Sequence, residues 1–335
     1  MKGVNEMAAL KRVLPALLAL TLLAGCTGGK TAVEEDVYLE PTVLEEVDLR
    51  EEAVAMAAAP AVPDLLLPEH PGKKVERNAK AEVDYSNASD GYVMVRYKAA
   101  SDRRLKAKVT GPTTEGGYQY NLTQGEWTTF PLSDGNGKYE VKVYEQNPST
   151  GKYAVMLTAK FTVKLTDEFA PFLRPNQYVN YADATNTLAK AKELTAGVED
   201  NLDKVEKVYD FVVSTLTYDT HLAQTVKSGY LPVLDDVLAA KKGICFDYAA
   251  LMTAMLRSQG VPCKLVVGYV GTKDPAYHAW INVWSEEDGW VDGAIYFDGT
   301  AWQRMDPTFA SSGKGSEAIM KYIGDGKNYT TKYLY

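Results

Sequence analysis

The sequence predicts two folded units in tandem: an all-β sandwich, then an α+β domain in which a buried helix packs on an antiparallel sheet. Three observations carry this prediction. Residues from about 81 to 166 alternate apolar and polar at period two between turn signals. From about 180 the apolar spacing lengthens to three and four residues. Past Gly260 and Pro262 it returns to two. Helices first and an antiparallel sheet second make an α+β domain.

The N-terminus reads as a targeting segment over residues 1–25. Lys2, Lys11 and Arg12 precede the apolar run "VLPALLALTLLAG", which is short for a permanent membrane span. The run ends in "LAGC", which resembles the lipobox of bacterial lipoproteins. That resemblance implies lipid on Cys26. The expected location is the extracytoplasmic face of a bacterial cell membrane, held by a lipid anchor. Residues 26–80 are acidic, Ala-rich and Pro-punctuated, as in "EEDVYLEPTVLEEVDLREE" and "AMAAAPAVP". Such composition buries little apolar surface to offset chain entropy, so this stretch is expected to be a tether.

The sandwich is assigned to residues 81–166. In "KYEVKVYE", Tyr139, Val141 and Val143 share one face and Glu140 and Lys142 the other. "GYVMVRYK" and "AKFTVKL" read as further strands, and "TGPTTEGG", "SDGNG" and "NPSTG" as turns. No cluster of titratable residues stands out there, so a spacer or binding role is expected. The "DGNG" at Asp134 reads as a hairpin turn and not as a calcium loop.

The α+β domain is assigned to residues 167–335. "TDEFAPFLRPNQYVNYAD" is an irregular connector. Leu202, Val205, Tyr209, Val212 and Leu216 mark one face of a helix. "LPVLDDVLAAKKG" predicts a short helix stopped by Gly243. The next helix runs from Cys245 to about Gln259 and is apolar nearly all round, so it belongs in the domain centre. Strands follow in "CKLVVGYV", "HAWINVWSE", "GWVDG", "IYFDG" and "WQRMDPTF".

Composition narrows the function classes. The chain has 335 residues, 24% of them charged, with a formal net charge of -8 and no long Lys/Arg run. Nucleic acid is therefore not an expected partner, since phosphate binding needs a clustered basic footprint. No zinc spacing, phosphate-cradling loop or dinucleotide fingerprint is present, so no metal or cofactor is expected.

The chain has only three cysteines, which makes "KKGICFDYAAL" informative. A thiol reacts as its thiolate, and a helix N-terminus favours the anion. First-turn N–H groups can also donate to an oxyanion. A cysteine there is, on its own, as readily a small buried apolar residue. His278 opens the apolar strand "HAWINVW", where histidine can serve as base. Asp306 ends a later strand just before Pro307, where a carboxylate can orient an imidazole. A strand-end histidine and a turn aspartate are each common by themselves. All three together are less so. Cys245 at a helix start and Cys263 on a strand are not expected to pair as a disulfide.

The segments "GICFDYAALMTAMLRSQGVPCKLVVGY", "YHAWINVW" and "WQRMDPT" resemble the transglutaminase-like superfamily of papain-type folds over roughly residues 180–312. The resemblance implies Cys245 as nucleophile, His278 as base and acid, and Asp306 as the orienting residue. It implies a papain-like core preceded by an immunoglobulin-like sandwich. It also implies that Tyr218–Asp219 ends the helix before the catalytic one. Asn282 departs from the family, in which many members carry a glutamate there. Asp247 reads as a complement to the helix dipole, and His221 as a loop residue. Tyr277, Trp280 and Tyr218 are candidate substrate contacts, with Trp280 equally suited to a core. Trp302 is expected to pack under the Asp306 strand.

The expected activity is thiol acyl chemistry on a protein or peptide substrate, cell-wall peptide among them. Peptidase-like hydrolysis is favoured over glutamine cross-linking. The alternative is a non-catalytic module that binds peptide or cell wall on the same scaffold.

Overall fold

The computed structural model describes residues 65–271, 275–286, 289–291, 295–297, 302–304 and 329–335. Asp306, Cys26 and the signal segment lie outside the described residues, as does the side chain of Trp302.

The first unit is a sandwich of two four-stranded antiparallel sheets. One sheet holds β1 (Val75–Arg77), β2 (Ala81–Asp84), β3 (Tyr92–Tyr97) and β6 (Trp127–Pro131), in the order β1-β2-β3-β6. The other holds β4 (Leu105–Thr110), β5 (Tyr118–Leu122), β7 (Gly137–Gln146) and β8 (Tyr153–Val163), in the order β5-β4-β7-β8. Period-two patterning sends Val83, Val93, Val95 and Phe130 inward from one sheet. Val109, Val141, Val143 and Ala159 meet them from the other.

The folded chain starts earlier than composition suggested. Residues 65–80 were expected in the tether, yet β1 pairs with β2 in the register Val75↔Asp84 to Arg77↔Glu82. The Asp84 carboxylate also accepts the Gly72 N–H at 2.6 Å. Polar composition misleads here because an edge strand needs backbone partners more than apolar side chains.

In the second unit, α1 (Thr185–Leu194), α2 (Asn201–Thr215) and α4 (Leu234–Ala240) pack against α5 (Cys245–Ser258), and the short α3 (Thr220–Thr225) lies between α2 and α4 in the chain. The apolar face predicted for α2 is buried at Val205, Val208, Tyr209 and Val212. Asp200 caps it by accepting the Leu202 and Asp203 N–H groups. The Asp235 carboxylate of α4 accepts the Asn186 and Thr187 N–H groups, satisfying the first turn of α1 from a neighbouring helix.

Every α5 residue from Asp247 to Arg257 is buried. The helix packs on an antiparallel sheet of β13 (Gly289–Val291), β12 (Ala276–Ser285), β11 (Cys263–Val270) and β16 (Tyr329–Leu334), in that order. Two further strands, β14 (Ile295–Phe297) and β15 (Trp302–Arg304), form a separate hairpin. Ala279, Ile281 and Val283 join the main core with α5, whereas Trp280 joins Val266 and Val270 in a smaller cluster.

Gly243 does not terminate the helix before it. That C-cap is Lys241, which takes the left-handed conformation at φ 51°. Gly243 lies instead in β10 (Lys242–Gly243), parallel to β9 (Thr217–Tyr218). A Cβ at Gly243 would sit 2.6 Å from the Asp247 Cβ, so the glycine is set by packing against α5. His221 lies in α3 and not in a loop, and two short helices separate Tyr218–Asp219 from α5.

The two units share one continuous core. Tyr120 of β5 meets Tyr178 and Tyr335 edge-on, with centroids 5.7 and 6.0 Å apart. Tyr178 and Tyr335 stack at 4.1 Å. The Gln177 amide donates to the Asn121 carbonyl at 2.7 Å. The sandwich is thus docked on the α+β domain.

Candidate active site

Where the two units meet lies a cavity of about 390 Å³. Cys245, at the start of α5, and His278, in β12, both line it. Tyr218, Tyr277 and Tyr230 share its wall, and Asn121 of the sandwich completes one side.

The position of Cys245 follows from local structure. Ile244 is the N-cap in an extended conformation, and the first intrahelical bond is from the Tyr248 N–H to the Ile244 carbonyl. The amides of Cys245, Phe246 and Asp247 precede that bond, at the positive end of the helix dipole. Cys245 is half-buried and free of any disulfide. Cys263 is also free but fully buried, and burial pushes its thiol up to about 11 against the lowering influence of Arg257 and Thr253.

Asp247 does more than complement the dipole. It is fully buried, and one carboxylate oxygen accepts the Ile244 N–H at 2.7 Å. The other accepts the Tyr230 hydroxyl at 2.6 Å. Burial pushes the Asp247 carboxyl up to about 6, and nearby Asp219 adds to this; the Tyr230 hydroxyl and Ile244 amide pull the other way. Burial and then the Asp247 charge push the Tyr230 phenol up. Asp247 therefore ties the turn before Cys245 to the segment carrying Tyr230 in the cavity wall. Its sequence signal was an acidic residue inside the first turn of an otherwise apolar helix.

His278 is buried and pairs in register with Gly268 of β11. A Cβ at Gly268 would collide with the Thr330 carbonyl oxygen, so this glycine admits β16 at close range. The His278 ring lies 6.4 Å from that of Trp280, nearly parallel to it. Tyr277 is 52% exposed and stands at the cavity rim. Trp280 does not line the cavity. It is 2% exposed and meets Tyr329 edge-on at 5.1 Å, so the core assignment is the correct one.

Gln177, Tyr178 and Asn121 were not singled out by sequence, yet all three line the cavity. Nothing in an irregular connector or an alternating edge strand announces that role.

Residues 188–307 match the model of the transglutaminase-like superfamily. The chain is 30% identical over 117 residues to the protein YebA of Bacillus subtilis, covering 30% of this chain and 16% of YebA. It is 36% identical over 70 residues to a protein-glutamine gamma-glutamyltransferase of Pseudomonas aeruginosa, covering 17% of this chain and 10% of that protein. The chain therefore spans a small part of both curated relatives. The periplasmic domain of TgpA from Pseudomonas aeruginosa, solved bound to ethylmercury, aligns at 15% identity and TM-score 0.34. That alignment covers 73% of this chain and all of the domain, 100%.

Proposed function

We propose, from the match of residues 188–307 to the transglutaminase-like superfamily, a membrane-tethered, extracytoplasmic thiol enzyme that cleaves or transfers amide acyl groups through a thioester on Cys245. One observation carries the proposal: the only half-buried cysteine among the described residues opens a buried helix and shares a cavity with His278. The Cys245 sulfur attacks the amide carbonyl carbon, forming a C–S bond. Amides of the first turn of α5 face the developing oxyanion. Collapse of the intermediate breaks the C–N bond, and the imidazolium of His278 protonates the departing amine. Water then attacks the thioester to give an acid, or an amine attacks to give a new amide. Either route returns the thiol. Asp306 is proposed to orient His278. Tyr277 and Tyr218 in the cavity wall are proposed substrate contacts. Peptidase-like hydrolysis is favoured over glutamine cross-linking. The lipid anchor at Cys26 would hold the enzyme at the membrane surface.

The test is the pH dependence of Cys245 alkylation, located by mass spectrometry, with His278→Ala as comparison. The expected apparent pKa lies well below the free-thiol value of about 8.5 and returns toward it in the variant. A Cys245 as slow as Cys263, or one indifferent to His278→Ala, would remove the catalytic reading.

A further inference from the structure

A second concavity, of about 490 Å³, opens on the outer face of the sandwich sheet. Lys106, Lys108 and Lys152 line it, with Tyr144 and Tyr153, and no carboxylate is among its described lining residues.

Strand register joins this groove to the candidate active site. Lys106 pairs directly with Asn121, and Lys108 with Gln119. Directly opposed residues lie on one face of a sheet, with Cβ atoms about 4.5–5.5 Å apart. Asn121 lines the cavity that holds Cys245, while Gln119 lines the lysine groove. The two concavities are thus adjacent across the Lys106–Asn121 pair. Lys106 is 4% exposed, and its ammonium lies 4.4 Å from the centroid of the Tyr153 ring. On the far side Lys108 faces Lys142 in register, an unfavourable like-charge neighbour. Glu140 neutralises Lys142 at 2.5 Å and also pairs with Lys160 at 3.2 Å, outside the groove. With the Lys106 ammonium buried against Tyr153, the cations a bound anion would meet are those of half-buried Lys108 and exposed Lys152.

Resting on the acyl-transfer reading of the cavity, we infer that the sandwich selects the substrate. The lysine groove holds an acidic peptide segment flanking the amide presented to Cys245. A peptide is favoured over other polyanions because the groove lies one residue pair away from a cavity read as accepting an amide.

The experiment measures binding, so it does not depend on turnover. Full-length Cys245→Ser protein in nonionic detergent is titrated with two fluorescent peptides that share a central glutamine, one flanked by Glu and Asp, the other by Ser and Gly. At low salt the acidic peptide is expected to bind about tenfold more tightly. That preference should fall to about twofold or less in 0.5 M salt and vanish in Lys108→Gln/Lys152→Gln. Lys160→Gln, on the same face but outside the groove, should keep it. Equal binding of the two peptides would overturn the inference. So would a preference lost equally in Lys160→Gln, or polyphosphate binding that needs Lys108 and Lys152 while acidic peptides do not bind. Failure of the alkylation test with this preference intact would remove the catalytic chemistry and leave the peptide groove standing.

Discussion

Replacing Asp247 by Asn removes one buried charge and little volume, which makes it the sharpest probe of the turn before Cys245. In the folded chain the Asp247 carboxyl is raised from the ordinary 3.8 to about 6. The folded state therefore holds a proton that the unfolded chain gives up. Between about pH 4 and pH 6 the folded chain binds more protons, so stability falls as pH rises through that window. Above about 6 the buried charge imposes its full penalty; below about 4 it imposes none. At about 1.36 kcal/mol per pKa unit, the penalty is about 3 kcal/mol. Asp247→Asn never carries it. Thermal unfolding followed by circular dichroism at pH 4 and pH 7.5 measures the gap between wild type and variant. That gap should shift by about 3 kcal/mol in the variant's favour on going to pH 7.5, or roughly 6–12 °C in Tm. Any constant loss from disturbing the Tyr230 hydroxyl cancels in the comparison. A gap that stays the same across the range would refute burial as the control on Asp247.

Gly243→Ala should cost about 1–3 kcal/mol, because its Cβ would meet the Asp247 side chain. The same variant should slow Cys245 alkylation, and wild-type reactivity would show that the start of α5 tolerates the added methyl. The buried Arg257 guanidinium donates to the carbonyls of Cys263, Arg174 and Tyr335. Arg257→Met leaves these oxygens without that donor and should lower stability by about 2–4 kcal/mol in urea unfolding. An unchanged midpoint would mean the three carbonyls find other donors.

Much of the site was legible because its signals are local. Cys245 stands out as a rare cysteine at a helix start, and His278 as a histidine opening an apolar strand. The periods of two and three-to-four residues marked the strands, α2 and α5. Gly243 does not act as the helix stop its local sequence suggests, because its real constraint is the Asp247 side chain four residues on, in the first turn of the next helix. Trp280 was ambiguous because an aromatic suits a cleft or a core equally, and only the packing of β11 and β16 around it assigns one.

By itself the sequence determined the long strands of the sandwich, α2 and α5, and which residue types could do thiol chemistry, because period and composition act along the chain; β1 and the helix around His221 have no such periodic signal. Only the tertiary structure decided that the sandwich docks beside α5, that Asn121 enters the cavity wall, and that Lys106 stands opposite it. Those facts depend on strand register and on contacts between residues more than a hundred positions apart. No spacing along the chain encodes such contacts; the burial of tyrosines from both units in one shared core brings them together.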